Sequence, residues 1–181
     1  QAGIEVHVGV EEEACRHLNK AYLMARQQMR PFFTLKTACS MDGYTCSAFG
    51  ESKWITNAES RRKGHEVRAK NDGILVGIGT VLADDPSLNT RLEGVDDGNS
   101  VPIVLDSRLR TPLTANVRTA GKKPIIFHSR SSVEQANADC IRIEQGERGL
   151  NLDQLAKTLV ERGIYSVLLE GGATVHQSFM K

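Results

Sequence analysis

The chain has 181 residues, of which 40% are hydrophobic and 25% are charged, proportions that are usual for an ordinary globular domain. Its 23 lysines and arginines nearly balance its 22 aspartates and glutamates, so the formal net charge at pH 7 is +1. This balance argues against a protein whose overall field attracts nucleic acid or an anionic membrane. An anionic ligand must therefore be bound by a local cluster of cations.

The cysteines predict neither a metal site nor a disulfide framework. They form no C-x-x-C pair and have no histidines at zinc-finger spacing. No stretch approaches the roughly 20 apolar residues of a transmembrane helix, and the first residues lack the pattern of a signal peptide. We therefore expect a cytoplasmic protein without a metal. Because the chain begins with Gln and stops inside a helix-like segment, we also expect it to be a piece of a longer protein.

The first thirty residues predict no chemistry. Residues 1–9 show a short β alternation, and residues 10–28 carry apolar side chains near helical spacing. Glutamates at the start of this helical segment suit a helix N-terminus, and Pro31 ends it. We interpret the segment as an amphipathic connector helix.

The most informative stretch covers residues 34–56. A run with β alternation places Lys36 in a strand interior, where a charged side chain is rare. Asp42 and Gly43 are typical of a turn, which we favour over a catalytic role for the aspartate. The only tryptophan, Trp54, lies between charged residues at a helix entrance. We predict that this stretch forms one wall of a ligand site.

A helix is predicted over residues 57–70. Thr56 or the next residue caps it, and Thr56 stands at capping-box spacing from Glu59. Arg61 and Arg68 are seven residues apart and share one face, so they form a basic stripe. Such a stripe can bind a phosphate, although basic residues at this spacing more often belong to a helix face that simply contacts water.

Apolar runs predict the strands of an α/β domain. They lie at residues 32–38, 73–78, 102–106, 124–128, 140–144 and 165–170. A helix over residues 152–162 is stopped by Gly163. Alternating strands and helices favour a mainly parallel sheet, in which ligands bind at the carboxyl ends of strands. The polar turns at such ends are Gly79-Thr80, Asp106-Ser107 and Glu170-Gly171-Gly172.

Glycine patterns indicate a nucleotide-like ligand without naming a reaction. Gly171 and Gly172 either let the backbone approach a pyrophosphate or form a tight turn with positive φ, and the two interpretations are equally supported. Gly77 and Gly79 do not complete the Rossmann fingerprint, because Leu82 occupies the place of its next glycine. The zinc-deaminase, serine-hydrolase and Walker A patterns are absent from the sequence.

Motifs in a fixed order carry a family resemblance. They are S-M-D-G from Ser40, G-E-S-x-W-I-T from Gly50, V-G-x-G-T-V-x-x-D-D-P-x-L-x-x-R from Val76 and E-G-G from Glu170. In this order they resemble the reductase domain of the riboflavin-biosynthesis deaminase-reductase. That enzyme is bifunctional, so the resemblance implies a multifunctional enzyme. The resemblance covers residues 31–181, and residues 1–30 are similar to the tail of the preceding deaminase domain. We expect no deaminase activity from this chain, a C-terminally incomplete reductase domain, and a homo-oligomer if the C-terminus is complete.

The resemblance implies a dihydrofolate-reductase-like fold and NADPH-dependent reduction of the ribose of 5-amino-6-(5-phosphoribosylamino)uracil to its ribityl counterpart. The implied cofactor contacts are Ala38, Trp54, Thr80, Asp84, Ser107 and the segment 172–178, which includes Gly172, Ala173 and Thr174. The implied contacts with the phosphoribosylaminopyrimidine substrate are Ser52, Arg68, Leu88, Arg91 and Glu170.

The implied contacts allow roles to be assigned. Arg68 and Arg91 are candidates for the substrate phosphate, which suits a planar fork of donors. Glu170 is expected to hold ribose hydroxyls, and Trp54 to lie against NADPH. Lys36 is the candidate catalytic residue, which binds or polarises the sugar as hydride reaches C1′.

Two alternatives to this function remain open. The first is a pteridine or folate reductase on the same fold, against which the two arginines argue because a pterin head has no phosphate. The second is a noncatalytic fragment that only binds a nucleotide or a partner.

Overall fold

A six-stranded parallel sheet forms the centre of the fold. Its strands are β1 (Phe32–Leu35), β2 (Gly73–Gly77), β3 (Val101–Leu105), β4 (Ile125–His128), β5 (Asp139–Arg142) and β8 (Ser166–Leu169). They lie in the order β1-β8-β2-β3-β4-β5, and every neighbouring pair is parallel. A separate antiparallel hairpin consists of β6 (Gln145–Gly146) and β7 (Gly149–Leu150). The structure is a computed structural model that describes residues 3–48, 55–92, 94, 100–131, 135–146 and 149–180.

Helices alternate with these strands along the chain. They are α1 (Glu12–Leu18), α2 (Lys20–Gln28), α3 (Ala58–Ala69), α4 (Ile78–Asp84), α5 (Asn116–Thr119), α6 (Leu152–Glu161) and α7 (Ala173–Phe179). Within the ranges described above, no helix is both long enough and apolar enough to cross a bilayer.

The central strands are covered on both faces. Ile74, Leu75 and Val76 of β2 are all 0% exposed. Leu75 belongs to a core cluster that includes Leu155 and Leu159 of α6, whereas Ile74 and Val76 belong to a second cluster. Successive side chains of a strand point to opposite faces, so a strand buried on both faces needs a continuous apolar run. The predicted α/β fold with a mainly parallel sheet is therefore confirmed.

The N-terminal segment differs from the prediction. Residues 3–9 form no strand, and the predicted helix over residues 10–28 is divided into α1 and α2 at Asn19. The side-chain amide of Asn19 donates a hydrogen bond to the carbonyl of Cys15 at 2.9 Å. The backbone N–H of Asn19 donates to the same carbonyl at 3.0 Å, and the division lies where the backbone of Asn19 leaves helical geometry, with φ of −96° and ψ of 16°.

The cap of α3 also differs from the predicted capping box. Asn57 is the N-cap, and its side-chain oxygen accepts from the N–H of Ser60 at 2.8 Å. Asn57, one of the two predicted caps, is therefore confirmed, whereas the capping box from Thr56 to Glu59 is wrong. By contrast, Gly163 ends α6 as predicted, with φ of 76°.

We predict that Gly73→Ala destabilises the protein, because a methyl group there would lie 2.7 Å from the Cδ1 atom of the buried Ile103. The expected loss in the free energy of unfolding is about 1–3 kcal/mol, as for other overpacked cores. Gly79→Ala is the matched control, since nothing lies within 4 Å of its added methyl group and alanine favours a helix. Urea denaturation of both variants measures the difference, and equal midpoints would contradict the prediction.

Candidate active site

Charged side chains follow two adjacent strands at the carboxyl edge of the sheet. The N–H of Lys36 donates to the carbonyl of Leu169 at 3.1 Å, and the N–H of Glu170 donates to the carbonyl of Leu75 at 3.0 Å. These bonds extend the ladders of β1 and β8 by one residue. Because β1 ends at Leu35, Lys36 lies just beyond the strand. The prediction that Lys36 lies in a strand interior is therefore wrong.

Arg68 of α3 and Glu170 form a bidentate ion pair. Nε of the arginine donates to Oε1 at 3.0 Å, and Nη2 donates to Oε2 at 2.6 Å. The remaining nitrogen, Nη1, donates to the carbonyl of Asn89 at 2.9 Å. The side chain of Arg68 is 16% exposed and that of Glu170 is 7% exposed. Planar fork-to-fork pairing of this kind fixes the orientation of both groups.

Glu170 remains ionised despite its burial. Burial alone raises the pKa of its carboxyl, but the hydrogen bonds and charge of Arg68, together with the charges of Lys36 and His65, lower it, and the resulting pKa lies below its ordinary value. Glu170 is therefore a carboxylate at neutral pH and can only accept hydrogen bonds.

His65 of α3 connects this pair to the loop after α4. Its Nδ1 accepts a hydrogen bond from the backbone N–H of Arg91 at 3.2 Å. Burial lowers the pKa of His65, and the charges of Arg68, Arg91 and Lys36 lower it further, whereas Glu170 acts in the opposite direction. We call Lys36, His65, Arg68, Arg91 and Glu170 the charged cluster.

The structure distinguishes the two arginines that the sequence placed together. Arg68 uses all of its guanidinium nitrogens in bonds to the protein, whereas the side chain of Arg91 is exposed. Arg68 therefore orients Glu170 in this structure, and Arg91 presents a cation to solvent.

A cleft of about 840 Å³ opens at the same carboxyl edge of the sheet. No residue of the charged cluster lines it, but Gly172, two residues after Glu170, does. We call it the glycine-lined cleft, because backbone at five glycines borders it. They are Gly77, Gly79, Gly146, Gly149 and Gly172. The predicted cofactor contacts Thr80, Asp84, Ser107, Gly172 and Thr174 also line it. Residues from α4, the end of β3 and α7 are thus brought together.

The cleft also has a wall that the sequence did not predict. This wall is formed by the β6–β7 hairpin and by Asn151, Leu152 and Asp153 at the start of α6. Asn151 caps α6, and its side-chain oxygen accepts from the N–H groups of Asp153 and Gln154 at 3.1 and 3.0 Å. An asparagine before an apolar helical run is a recognisable cap signal, but it gives no indication of a cleft.

The turn after β8 excludes one of the two roles that were predicted for its glycines. Gly172 has φ of −70°, and neither Gly171 nor Gly172 adopts positive φ, so the tight-turn interpretation is wrong. A methyl group on Gly171 would lie 2.6 Å from Cβ of Val175, whereas nothing lies within 4 Å of one on Gly172. Gly171 therefore allows α7 to pack closely, and Gly172 leaves room at the cleft.

The turn after β3 divides its two residues between different roles. Asp106 is 0% exposed, and its Oδ2 accepts from the N–H and the hydroxyl of Thr111 at 2.7 and 2.8 Å. Ser107 faces the cleft. Asp106 therefore holds the loop, and only Ser107 can contact a ligand there.

The other predicted site residues that the structure describes do not line the cleft. Ala38 is half-buried beyond β1, and Ala173 is exposed in the first turn of α7. Leu88 is 2% exposed within the hydrophobic core, so its side chain is not available to a substrate in this structure. Ser52 and Trp54 lie outside the described residues.

Asp42 lies in the predicted turn. Its carboxylate accepts from the hydroxyl of Ser40 at 2.5 Å, and Gly43 has φ of 87°.

In the described part of the chain, no group of three His, Cys, Asp or Glu side chains could hold a metal ion.

We predict that Arg68→Met lowers the free energy of unfolding by about 3–5 kcal/mol at pH 7, because it leaves the buried Glu170 carboxylate without its partner. The native pair holds the pKa of Glu170 low, so it stabilises the fold above the ordinary glutamate pKa and loses this effect as the pH falls through the lowered value. In the variant, burial favours the protonated acid, and only the charges of Lys36 and His65 still oppose it. The difference in the free energy of unfolding between the native protein and the variant should therefore become smaller as the pH is lowered towards 4.

Denaturant titrations between pH 4 and pH 8 measure this difference. Lys157→Met is the control, since its partner Glu161 lies 4.0 Å away and both side chains are more than half exposed. An exposed ion pair of this kind contributes little to the free energy of unfolding. Equal effects of the two substitutions at pH 7 would contradict the prediction.

Several known proteins are similar to this chain in sequence and in architecture. The profile of the RibD C-terminal domain family matches residues 31–181. The riboflavin biosynthesis protein RibD of Bacillus amyloliquefaciens is 40% identical over 187 residues, which cover 100% of this chain and 50% of that protein. A 2,5-diamino-6-ribosylamino-4(3H)-pyrimidinone 5′-phosphate reductase of Methanothermobacter thermautotrophicus is 36% identical over 157 residues, or 84% of this chain and 72% of that protein.

A solved structure gives the same relationship. The diaminohydroxyphosphoribosylaminopyrimidine deaminase/5-amino-6-(5-phosphoribosylamino)uracil reductase of Thermotoga maritima superposes with a TM-score of 0.83 at 34% identity, over 98% of this chain and 49% of that one. The chain spans about half the length of the RibD relatives that it matches. From the profile match, the identities and the parallel sheet, the chain belongs to the RibD C-terminal domain family and has its dihydrofolate-reductase-like fold.

Proposed function

We propose that this chain is an NADPH-dependent reductase of riboflavin biosynthesis. It converts the ribose of 5-amino-6-(5-phosphoribosylamino)uracil into the ribityl group of 5-amino-6-(5-phosphoribitylamino)uracil. One observation supports this most directly: at the end of β8, Glu170 of the charged cluster is only two residues from Gly172, which lines the glycine-lined cleft. A nucleotide and a phosphorylated sugar would thus lie side by side. The Thermotoga relative is described as a reductase of this compound.

We also propose how the chain is divided. Residues 31–181 form the reductase domain, and residues 1–30 are the tail of a deaminase domain with its connector. The substrate carries a phosphate, and phosphorylated metabolites do not cross membranes unaided, in agreement with a cytoplasmic enzyme.

The cleft fits a dinucleotide cofactor. Its glycine lining lets backbone approach a ligand that bulky side chains would displace, and its volume lies in the range of cofactor sites. Thr80, Ser107 and Thr174 offer hydroxyl groups along its walls. When it is bound, NADPH supplies the hydride that reduces the sugar. The protein's own residues align the two ligands and place charge.

Glu170 and Lys36 are placed to act on the sugar. The Glu170 carboxylate, held by Arg68, accepts hydrogen bonds from ribose hydroxyls. Lys36 lies close enough for its charge to affect both Glu170 and His65. Its ammonium group polarises the sugar oxygen as C1′ is reduced. Arg68 therefore acts on the sugar through Glu170.

Arg91 is the proposed contact for the substrate phosphate. It is the exposed arginine of the charged cluster, and a guanidinium matches the geometry of phosphate oxygens. A phosphate contact also favours this reaction over reduction of a pterin, whose head group carries no phosphate.

We predict that Arg91→Ala raises KM for the phosphoribosylaminopyrimidine by roughly 10- to 100-fold, the loss expected for a hydrogen bond to a charged group. The value of kcat should fall much less, because the phosphate is remote from C1′. Steady-state kinetics test this, with Arg26→Ala on the exposed face of α2 as control. An unchanged KM would exclude the phosphate contact.

We predict that NADPH raises the melting temperature more than NADH at equal concentration, because the proposed site prefers the 2′-phosphate. Equal shifts would contradict the NADPH assignment. Adding the phosphoribosylaminopyrimidine should then cause NADPH oxidation and formation of the ribityl product. Binding of NADPH without turnover would instead support the noncatalytic alternative.

A further inference from the structure

The loop between α4 and Arg91 is held by a series of side-chain contacts. The carboxylate of Asp85 accepts from the N–H and the side-chain amide of Asn116 at 2.8 and 2.9 Å. Leu88 is buried in the core. The carbonyl of Asn89 accepts from Arg68 at 2.9 Å. These contacts fix the path of the loop as far as residue 89.

The last contact in the series holds Arg91 itself. Its backbone N–H donates to Nδ1 of His65 at 3.2 Å. An imidazole nitrogen accepts a hydrogen bond only while it carries no proton. The contacts made by Leu88 and Arg68 involve no imidazole, so the hold on Arg91 is the one that depends on a histidine.

We propose that His65 is a positioning residue for phosphate recognition, which holds the backbone of Arg91 through its unprotonated Nδ1 and releases it when protonated. The inference rests on the proposed function, because it takes Arg91 as the contact for the substrate phosphate. It adds to that function a residue that contacts neither the sugar nor the phosphate.

The surroundings of His65 keep it in the accepting form at neutral pH. Burial lowers its pKa, and so do Arg68 on the same helix, Arg91 on the loop and Lys36 after β1, while Glu170 after β8 raises it. The net direction is downward, so protonation occurs below the ordinary histidine range. Phosphate recognition is therefore maintained at neutral pH and weakens as the medium becomes acidic.

Two other effects change the binding of the substrate phosphate in the same pH range. The substrate phosphate gains a proton near pH 6, and a protonated His65 adds a positive charge that attracts the phosphate. A pH profile of the parent protein alone cannot separate these effects. Matched substitutions of His65 can, because the titration of the substrate phosphate is common to all of them.

The test compares His65→Asn, His65→Gln and His65→Ala. The side-chain oxygen of asparagine occupies approximately the place of Nδ1 and does not titrate, whereas that of glutamine lies further out. KM and kcat are measured from pH 5 to pH 8, together with the dissociation constant for ribose 5-phosphate. Thermal unfolding establishes that each variant is folded, and the asparagine and glutamine variants suffice if the alanine variant does not fold.

We expect His65→Ala and His65→Gln to raise KM at pH 7.5 by roughly 2- to 10-fold, the effect of one lost hydrogen bond, with kcat changed less. His65→Asn should restore most of the lost affinity and flatten the rise of KM on the acid side. The dissociation constant for ribose 5-phosphate should follow the same order.

Two results would overturn the inference while leaving the proposed function intact. One is an unchanged KM in all three variants when Arg91→Ala raises KM. The other is an equal loss in the asparagine, glutamine and alanine variants, which would indicate lost packing rather than a lost acceptor. If Arg91→Ala itself leaves KM unchanged, the phosphate contact fails and the inference fails with it.

Discussion

The site depends on the bidentate pair of Arg68 and Glu170. One guanidinium joins α3, the end of β8 and the loop after α4, since its nitrogens reach both carboxylate oxygens and the carbonyl of Asn89. Burial of a carboxylate is costly unless a partner and hydrogen bonds compensate for it. The charge of Glu170 can therefore be kept beside the cleft only because α3 packs where Arg68 can reach it. The same ion pair thus contributes to stability and fixes the position of the Glu170 carboxylate.

The parallel sheet explains why the charged cluster and the glycine-lined cleft lie at the same edge of the fold. The carboxyl ends of parallel strands meet at one edge, and β8 lies between β1 and β2. Its end therefore neighbours Lys36 on one side and the glycine-lined cleft on the other. The cations of the charged cluster outnumber its one carboxylate, although the whole chain has a net charge of only +1. A nearly neutral protein can attract a phosphate in this way by local placement of charge.

Local patterns predicted the parts of the fold that local physics determines. The apolar run of β2 was predicted correctly because a strand buried on both faces needs such a run. The pairing of Arg68 with Glu170 spans 102 residues, and that of His65 with Arg91 spans 26, so no sequence window contains them. The positive φ considered for Gly171 was wrong for a related reason. A glycine required by close packing against Val175 and one required by a turn look identical in sequence.

Matching a residue to a family position predicts where it lies but not which bonds it makes. Arg68 and Arg91 were both matched to substrate-contacting positions, yet one is saturated by the protein and the other is exposed. A guanidinium already paired with a buried carboxylate would have to abandon that carboxylate in order to bind a phosphate, leaving a buried charge unpaired. An exposed guanidinium gives up only water. The same energetic argument supports the proposed contact between Arg91 and the phosphate and the proposed role of Arg68 in holding Glu170. Under that proposal, the backbone position of Arg91 is the variable that His65 controls.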